Sequence, residues 1–129
     1  MKEWTACLLV GVGGFFGAIA RYVIARASAA WLGAGFPYGT FFINISGSFV
    51  LGLVATLASE RFFRAGDAMR LVFAIGFLGA YTTFSTYEFE SHALFDAGKW
   101  QLALANLFGS LFLGLVAVRL GIWLGKSWA

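Results

Sequence analysis

The chain has 129 residues, of which 60% are hydrophobic and 12% charged, with a formal net charge of +3. That charged share is about half of what an average soluble domain carries, too little to coat a globular surface, so lipid must cover much of the chain. The length suits a single domain over residues 1–129, no basic run suggests nucleic acid, and the lone cysteine, Cys7, excludes an intrachain disulfide and a cysteine metal cage.

In chain order, residues 6–20 are uncharged and the apolar pattern continues past Arg21 to Leu32, predicting a first helix over 4–32. A membrane-crossing helix needs about 20 apolar residues. Lys2 ahead of an apolar stretch imitates a signal peptide, but Arg21 and Arg26 interrupt the stretch before the small residues at Ala27–Ala29, so cleavage is not expected. The segment Gly33–Gly39 holds the only proline and reads as a turn. A second helix is expected over 39–60, where 40–59 are uncharged. Glu60–Asp67 links it to a third over 68–95, with Asp67 as the expected N-cap. His92–Lys99 leads into a fourth over 99–127, uncharged over 100–118. The runs are continuously apolar, whereas barrel strands alternate. The fold expected is therefore an all-α membrane protein with four transmembrane helices.

Positive residues divide six (Lys2, Arg61, Arg64, Arg70, Arg119, Lys126) against three (Arg21, Arg26, Lys99) between the two sides, a weak preference for both termini inside. Small residues recur four apart at Gly13 and Gly17, Ser48 and Gly52, Ser110 and Gly114, and Gly121 and Gly125. Such faces let helices approach closely in lipid. Four short helices make a thin bundle that hardly encloses a pore alone, so an oligomer is expected.

The third helix contains the most unusual segment. Tyr81, Thr82, Thr83, Ser85, Thr86 and Tyr87 place six hydroxyls in seven positions, interrupted only by Phe84, and Gly76 and Gly79 precede them. Glycine and Ser/Thr side chains loosen a helical ladder, so the helix is expected to break near its middle. The freed carbonyls must be satisfied away from lipid, by local hydroxyls or by a bound cation, and the residues alone do not choose between these.

Enzymatic readings are weak. The only histidine, His92, lies near a helix end, and no cluster of metal ligands has usable spacing. Transport readings are stronger, because intramembrane polar groups are costly and mark pathways. Asn44 with Ser48, Asn106 with Ser110, and Phe84 with Tyr87 each share a helix face, and Thr83 with Thr86 forms a parallel pair. The competing structural reading is that hydroxyls return to their own helix carbonyls and each asparagine ties helices together. Neutral donors and aromatic edges suit a small anion. A small proton-coupled exporter of the multidrug type is the alternative, but it would place a carboxylate mid-membrane, and Glu88 and Glu90 come late in the third helix.

The chain resembles the Fluc fluoride channels, also called CrcB. The resemblance rests on Gly13-Gly14, Gly17-Ala18 and Arg21 in helix one, and on Pro37-Tyr38-Gly39-Thr40 with Asn44 at helix two. It continues through Gly76-Phe77-Leu78-Gly79 with Thr82-Thr83-Phe84-Ser85-Thr86 in helix three, and Gly109-Ser110 in helix four. It implies an antiparallel, dual-topology homodimer in the inner membrane, passing fluoride out of the cell through two pores and so relieving toxicity. By resemblance, Asn44, Phe84, Ser110, Thr83, Ser85, Thr86 and Asn106 belong to the fluoride path. Tyr87 belongs to that path as well, at the second position of the family's pore-lining aromatic pair, where phenylalanine is usual. Arg21 and Glu90 fall near the vestibules. The main-chain carbonyls of Gly79 and Thr82 match those that hold a structural sodium ion at the dimer interface.

Overall fold

The computed structural model describes residues 1–59 and 66–128. Four helical stretches are long and apolar enough to cross a membrane: Glu3–Leu32, Tyr38–Ser59, Asp67–Asp96 and Trp100–Trp128. No strand occurs among the described residues. We label the elements α1 (Glu3–Leu32), α2 (Tyr38–Ser59), α3 (Gly66–Met69), a π-helical segment (Arg70–Leu78), α4 (Gly79–Tyr81), α5 (Phe84–Asp96) and α6 (Trp100–Trp128). The third stretch therefore runs as α3, the π segment and α4 before it breaks. Asp67 sits inside the first turn of α3 and does not cap it. Most of the expected Glu60–Asp67 link, with Arg61 and Arg64, lies outside the described residues.

Two pairings build the bundle: α1 lies along the π segment, and α2 along α6. Both seams use the small residues at four-residue spacing. A Cβ on Gly13 or Gly17 would run into the carbonyls of Val72 or Phe77, and one on Gly121 into the carbonyl of Phe49. These are backbone atoms, which cannot swing aside, so only glycine permits the approach that replaces hydrophobic drive in lipid. Gly76 has the same role, facing Gly13 and Gly14 of α1, and so serves packing where a helix break was expected to draw on it.

The sealed interior is small: Ile43, Leu78 and Tyr81 are buried, with Ala20, Ile24, Ala25 and Phe77 packed around them. Large apolar side chains instead point outward, among them Leu8, Phe15, Phe108, Phe112 and Leu115. Trp4 and Trp31 stand exposed near the two ends of α1, and Trp100 and Trp128 near those of α6, as expected of aromatic belts at the two membrane faces.

Candidate functional site

The third stretch breaks at Thr82 and Thr83, whose backbones are extended (φ −76°, ψ 157° and φ −150°, ψ 122°). Thr83 then caps α5. Its hydroxyl accepts from the Thr86 amide at 3.3 Å and donates to the Thr86 hydroxyl at 3.1 Å. Thr82 turns back, sending its amide and its hydroxyl to the Leu78 carbonyl at 3.1 and 2.9 Å.

Asn44 on α2 holds the break from the side. Its Oδ1 accepts from the Thr83 amide at 2.8 Å and its Nδ2 donates to the Thr83 carbonyl at 3.0 Å. A carboxamide carries both a donor and an acceptor, so one side chain satisfies both backbone groups of the residue that leaves the helix. This arrangement has a consequence for the carbonyls before the break. In an unbroken helix the amides of Thr83 and Thr86 would bond the carbonyls of Gly79 and Thr82. Both amides go elsewhere, to Asn44 and to the Thr83 hydroxyl, so those two carbonyls lose their helical donors.

Beside the break lies an open cleft of about 320 Å³, lined by Asn44, Thr83, Phe84, Tyr87 and Ser110 together with Gly79 and Thr82. Phe84 is 73% exposed. Its ring lies 5.8 Å from that of Tyr87, tilted by 45°. Tyr87 is buried and donates its hydroxyl to the Leu107 carbonyl of α6 at 2.9 Å. That proton is committed to the backbone, so the ring is what Tyr87 offers the cleft.

Behind the wall runs a polar relay. Ser110 Oγ approaches Asn106 Oδ1 at 3.4 Å, Asn106 Nδ2 donates to Ser91 Oγ at 2.8 Å, and Ser91 donates to the Tyr87 carbonyl at 2.7 Å. Asn106 is fully buried and Ser91 nearly so. Ser91 was not among the residues singled out in the sequence, although it continues the face of Phe84 and Tyr87 by one more helical turn.

The remaining expected path residues are placed apart from the cleft. Ser85 is exposed, Thr86 half-buried, and neither lines it. Glu90 lies two turns along α5 in a second cleft of about 320 Å³, with Thr40 and Lys99 among its lining residues. One Glu90 carboxyl oxygen there is buried without a hydrogen-bond partner. Arg21 is half-buried on α1 and does not line that cleft. Among the described residues the only side-chain contact of salt-bridge length brings His92 Nε2 within 3.4 Å of Asp96 Oδ2, on the exposed surface of α5, an ion pair when the imidazole is protonated. No group of three or more His, Cys, Asp or Glu able to hold a metal occurs among them.

The structural reading of the polar residues holds for several of them. Ser48, Thr56, Thr82 and Ser91 bond carbonyls one turn back on their own segments, and Asn44 ties α2 to the broken stretch. The cleft thus brings together polar side chains already satisfied by the protein, the Gly79 and Thr82 carbonyls without their helical donors, the exposed Phe84 ring, and the loosely held Ser110 hydroxyl.

The model of the family described as CrcB-like protein, camphor resistance (CrcB), matches residues 8–122. The fluoride-specific ion channel FluC of Koribacter versatilis is 49% identical over 111 residues, covering 86% of this chain and 87% of that protein. The protein of the same name from Thermus thermophilus is 46% identical over 120 residues (93% and 94%), and that of Magnetococcus marinus 43% over 117 residues (91% and 94%).

Proposed function

The chain belongs to the CrcB family, and we propose that it is a fluoride-selective channel, passing the ion passively and not by catalysis. The observation that carries this reading is the cleft at the break, where the exposed Phe84 ring meets the loosely held Ser110 hydroxyl on an uncharged wall. A small, strongly hydrated anion needs donors to replace its water, and a ring edge carries positive charge. Thr83 lines the same cleft and Asn106 backs Ser110 from behind its wall, Glu90 stands toward a mouth in the second cleft, and Ser85, Thr86 and Arg21 line neither cleft.

One subunit leaves Phe84 open on its surface. The reading therefore includes a second copy, packed antiparallel, so that two such clefts become enclosed pores. The inner membrane is the compartment from which such a channel would relieve cytoplasmic fluoride. The Gly79 and Thr82 carbonyls, deprived of their helical donors, are hard oxygen ligands that fit a sodium ion at the subunit interface; when bound, that ion would satisfy the carbonyls and join the two breaks.

Proteoliposomes loaded with fluoride and read with a fluoride electrode test the reading. Protein-dependent fluoride efflux far above chloride efflux is expected; no efflux, or equal efflux of both ions, removes it. The rival, a proton-coupled exporter, draws on the partnerless carboxyl oxygen of Glu90. It requires flux that stops without a proton gradient and in the Glu88→Gln/Glu90→Gln variant.

A further inference from the structure

Ser110 differs from the hydroxyls of the spans that return to their own backbone. Its partner is a side chain, Asn106 Oδ1, and the 3.4 Å separation is at the outer edge of a hydrogen bond. The relay behind it determines which way the Ser110 proton points. The Tyr87 carbonyl can only accept, so the single proton of Ser91 goes to it at 2.7 Å. Ser91 Oγ can then only accept from Asn106, which turns the amide nitrogen toward Ser91 at 2.8 Å and the amide oxygen toward Ser110. Ser110, facing an oxygen that has no proton, must donate. The direction of every proton follows from one backbone carbonyl, whichever way the amide had first been oriented.

We propose that Ser91 is a positioning residue for the anion path. Acting through Asn106, it gives the Ser110 proton a resting acceptor in the cleft wall, through a link weak enough for an anion to displace and for the proton to return to. This inference rests on the channel reading. Hydrogen bonds to an anion are shorter and stronger than those between neutral groups, so an ion beside Ser110 draws its O–H hydrogen bond away from the 3.4 Å contact, with the proton still on the serine. Asn106 and Ser91 are sealed from the cleft, and they keep the amide from flipping as the ion passes. Without Ser91 the amide is free to turn its nitrogen toward Ser110. Ser110 would then accept, and its own O–H, with no oxygen in the wall to return to, would stay bonded to the anion and slow its exit, since conduction needs a site weak enough to leave.

The test is a double-mutant cycle on fluoride efflux from liposomes, using Ser91→Ala, Ser110→Ala and the pair, with Ser91→Thr as the variant that keeps the hydroxyl. At metal sites the loss of an outer-shell partner lowers activity about tenfold or more, and a loss of that order is taken for this relay. That loss is expected for Ser91→Ala, with most of the flux regained in Ser91→Thr. The double variant should match Ser110→Ala alone, because Ser91 acts only through it. Wild-type flux in Ser91→Ala, or effects that add independently, overturns the proposal. Should Ser91→Ala fail to fold, Ser91→Cys carries the same cycle. Independently of transport, the side-chain amide NMR signal of Asn106 in detergent should shift in Ser91→Ala and stay put in Ser85→Ala; an unmoved signal in Ser91→Ala also overturns the relay. A wild-type protein that passes no fluoride overturns the channel reading and with it the pathway role, while the amide signal still decides the relay.

Discussion

The carboxamide of Asn44 grips Thr83 by both ends of its backbone, oxygen to amide at 2.8 Å and nitrogen to carbonyl at 3.0 Å. The residues are 39 apart in sequence, yet this pair is what lets the third stretch leave its helix inside the membrane. Asn44→Ala strands two backbone groups, each costing about 1–3 kcal/mol when left unpaired. A lower unfolding temperature in detergent and lost fluoride flux are expected. Asn44→Asp keeps the acceptor for the Thr83 amide but loses the donor and faces the Thr83 carbonyl with an oxygen, so it should fail as well. Thermal unfolding by circular dichroism measures both, and wild-type stability in Asn44→Ala would contradict the role.

Phe84→Ile separates the aromatic edge from mere bulk. The side chain is largely exposed in the single subunit, so the change should alter the unfolding temperature of the subunit little. Fluoride efflux should be abolished, because isoleucine has no ring quadrupole. Thermal unfolding by circular dichroism alongside the electrode assay checks both halves, and a variant conducting at the wild-type rate would take Phe84 out of the path.

Tyr87→Phe keeps the ring and removes the hydrogen bond to the Leu107 carbonyl. A typical loss of about 1 kcal/mol in stability is expected, with the preference for fluoride over chloride unchanged. Tyr87→Ile should lose conduction too. Collapse of selectivity in Tyr87→Phe would mean that the hydroxyl itself meets the ion.

Gly17→Val tests the close seam between α1 and the π segment. The added side chain would collide with the Phe77 carbonyl, and neither backbone can yield without parting the helices. Little folded protein is expected on detergent extraction. Gly11→Val on the same helix has open space and should extract normally.

Replacing sodium by N-methylglucamine throughout purification probes the Gly79 and Thr82 carbonyls. The proposed dimer should dissociate more readily and efflux should fall, with both recovering when sodium is returned. Unchanged dimer stability across the exchange would remove the ion from the assembly.

Much of the architecture was legible in the sequence because lipid makes strong local demands. Uncharged runs, extended past the charges at their ends, marked four spans, and four helices long and apolar enough to cross a membrane are found. The glycine and serine pairs marked the seams, since close approach in lipid requires small residues wherever the partner lies. The hydroxyl cluster marked a break near the middle of the third span, found at Thr82–Thr83. Gly76 was harder to read. A glycine that permits contact and one that weakens a helix look the same in sequence, and only the nearness of Gly13 and Gly14 tells them apart.

Composition and spacing, together with the resemblance, thus determined by themselves that this is a four-span membrane protein with polar stripes and a broken third helix, because each of those features is governed by neighbours within a turn or two. What each polar group does was decided by the tertiary structure. A hydroxyl can return to its own carbonyl, as Ser48 and Thr82 do, or cross to another helix, as Tyr87 does to Leu107. An asparagine can face a cleft or hold a backbone, as Asn44 does. These choices depend on which donor meets which acceptor across segments far apart in the chain, and that pairing exists only once the helices have packed.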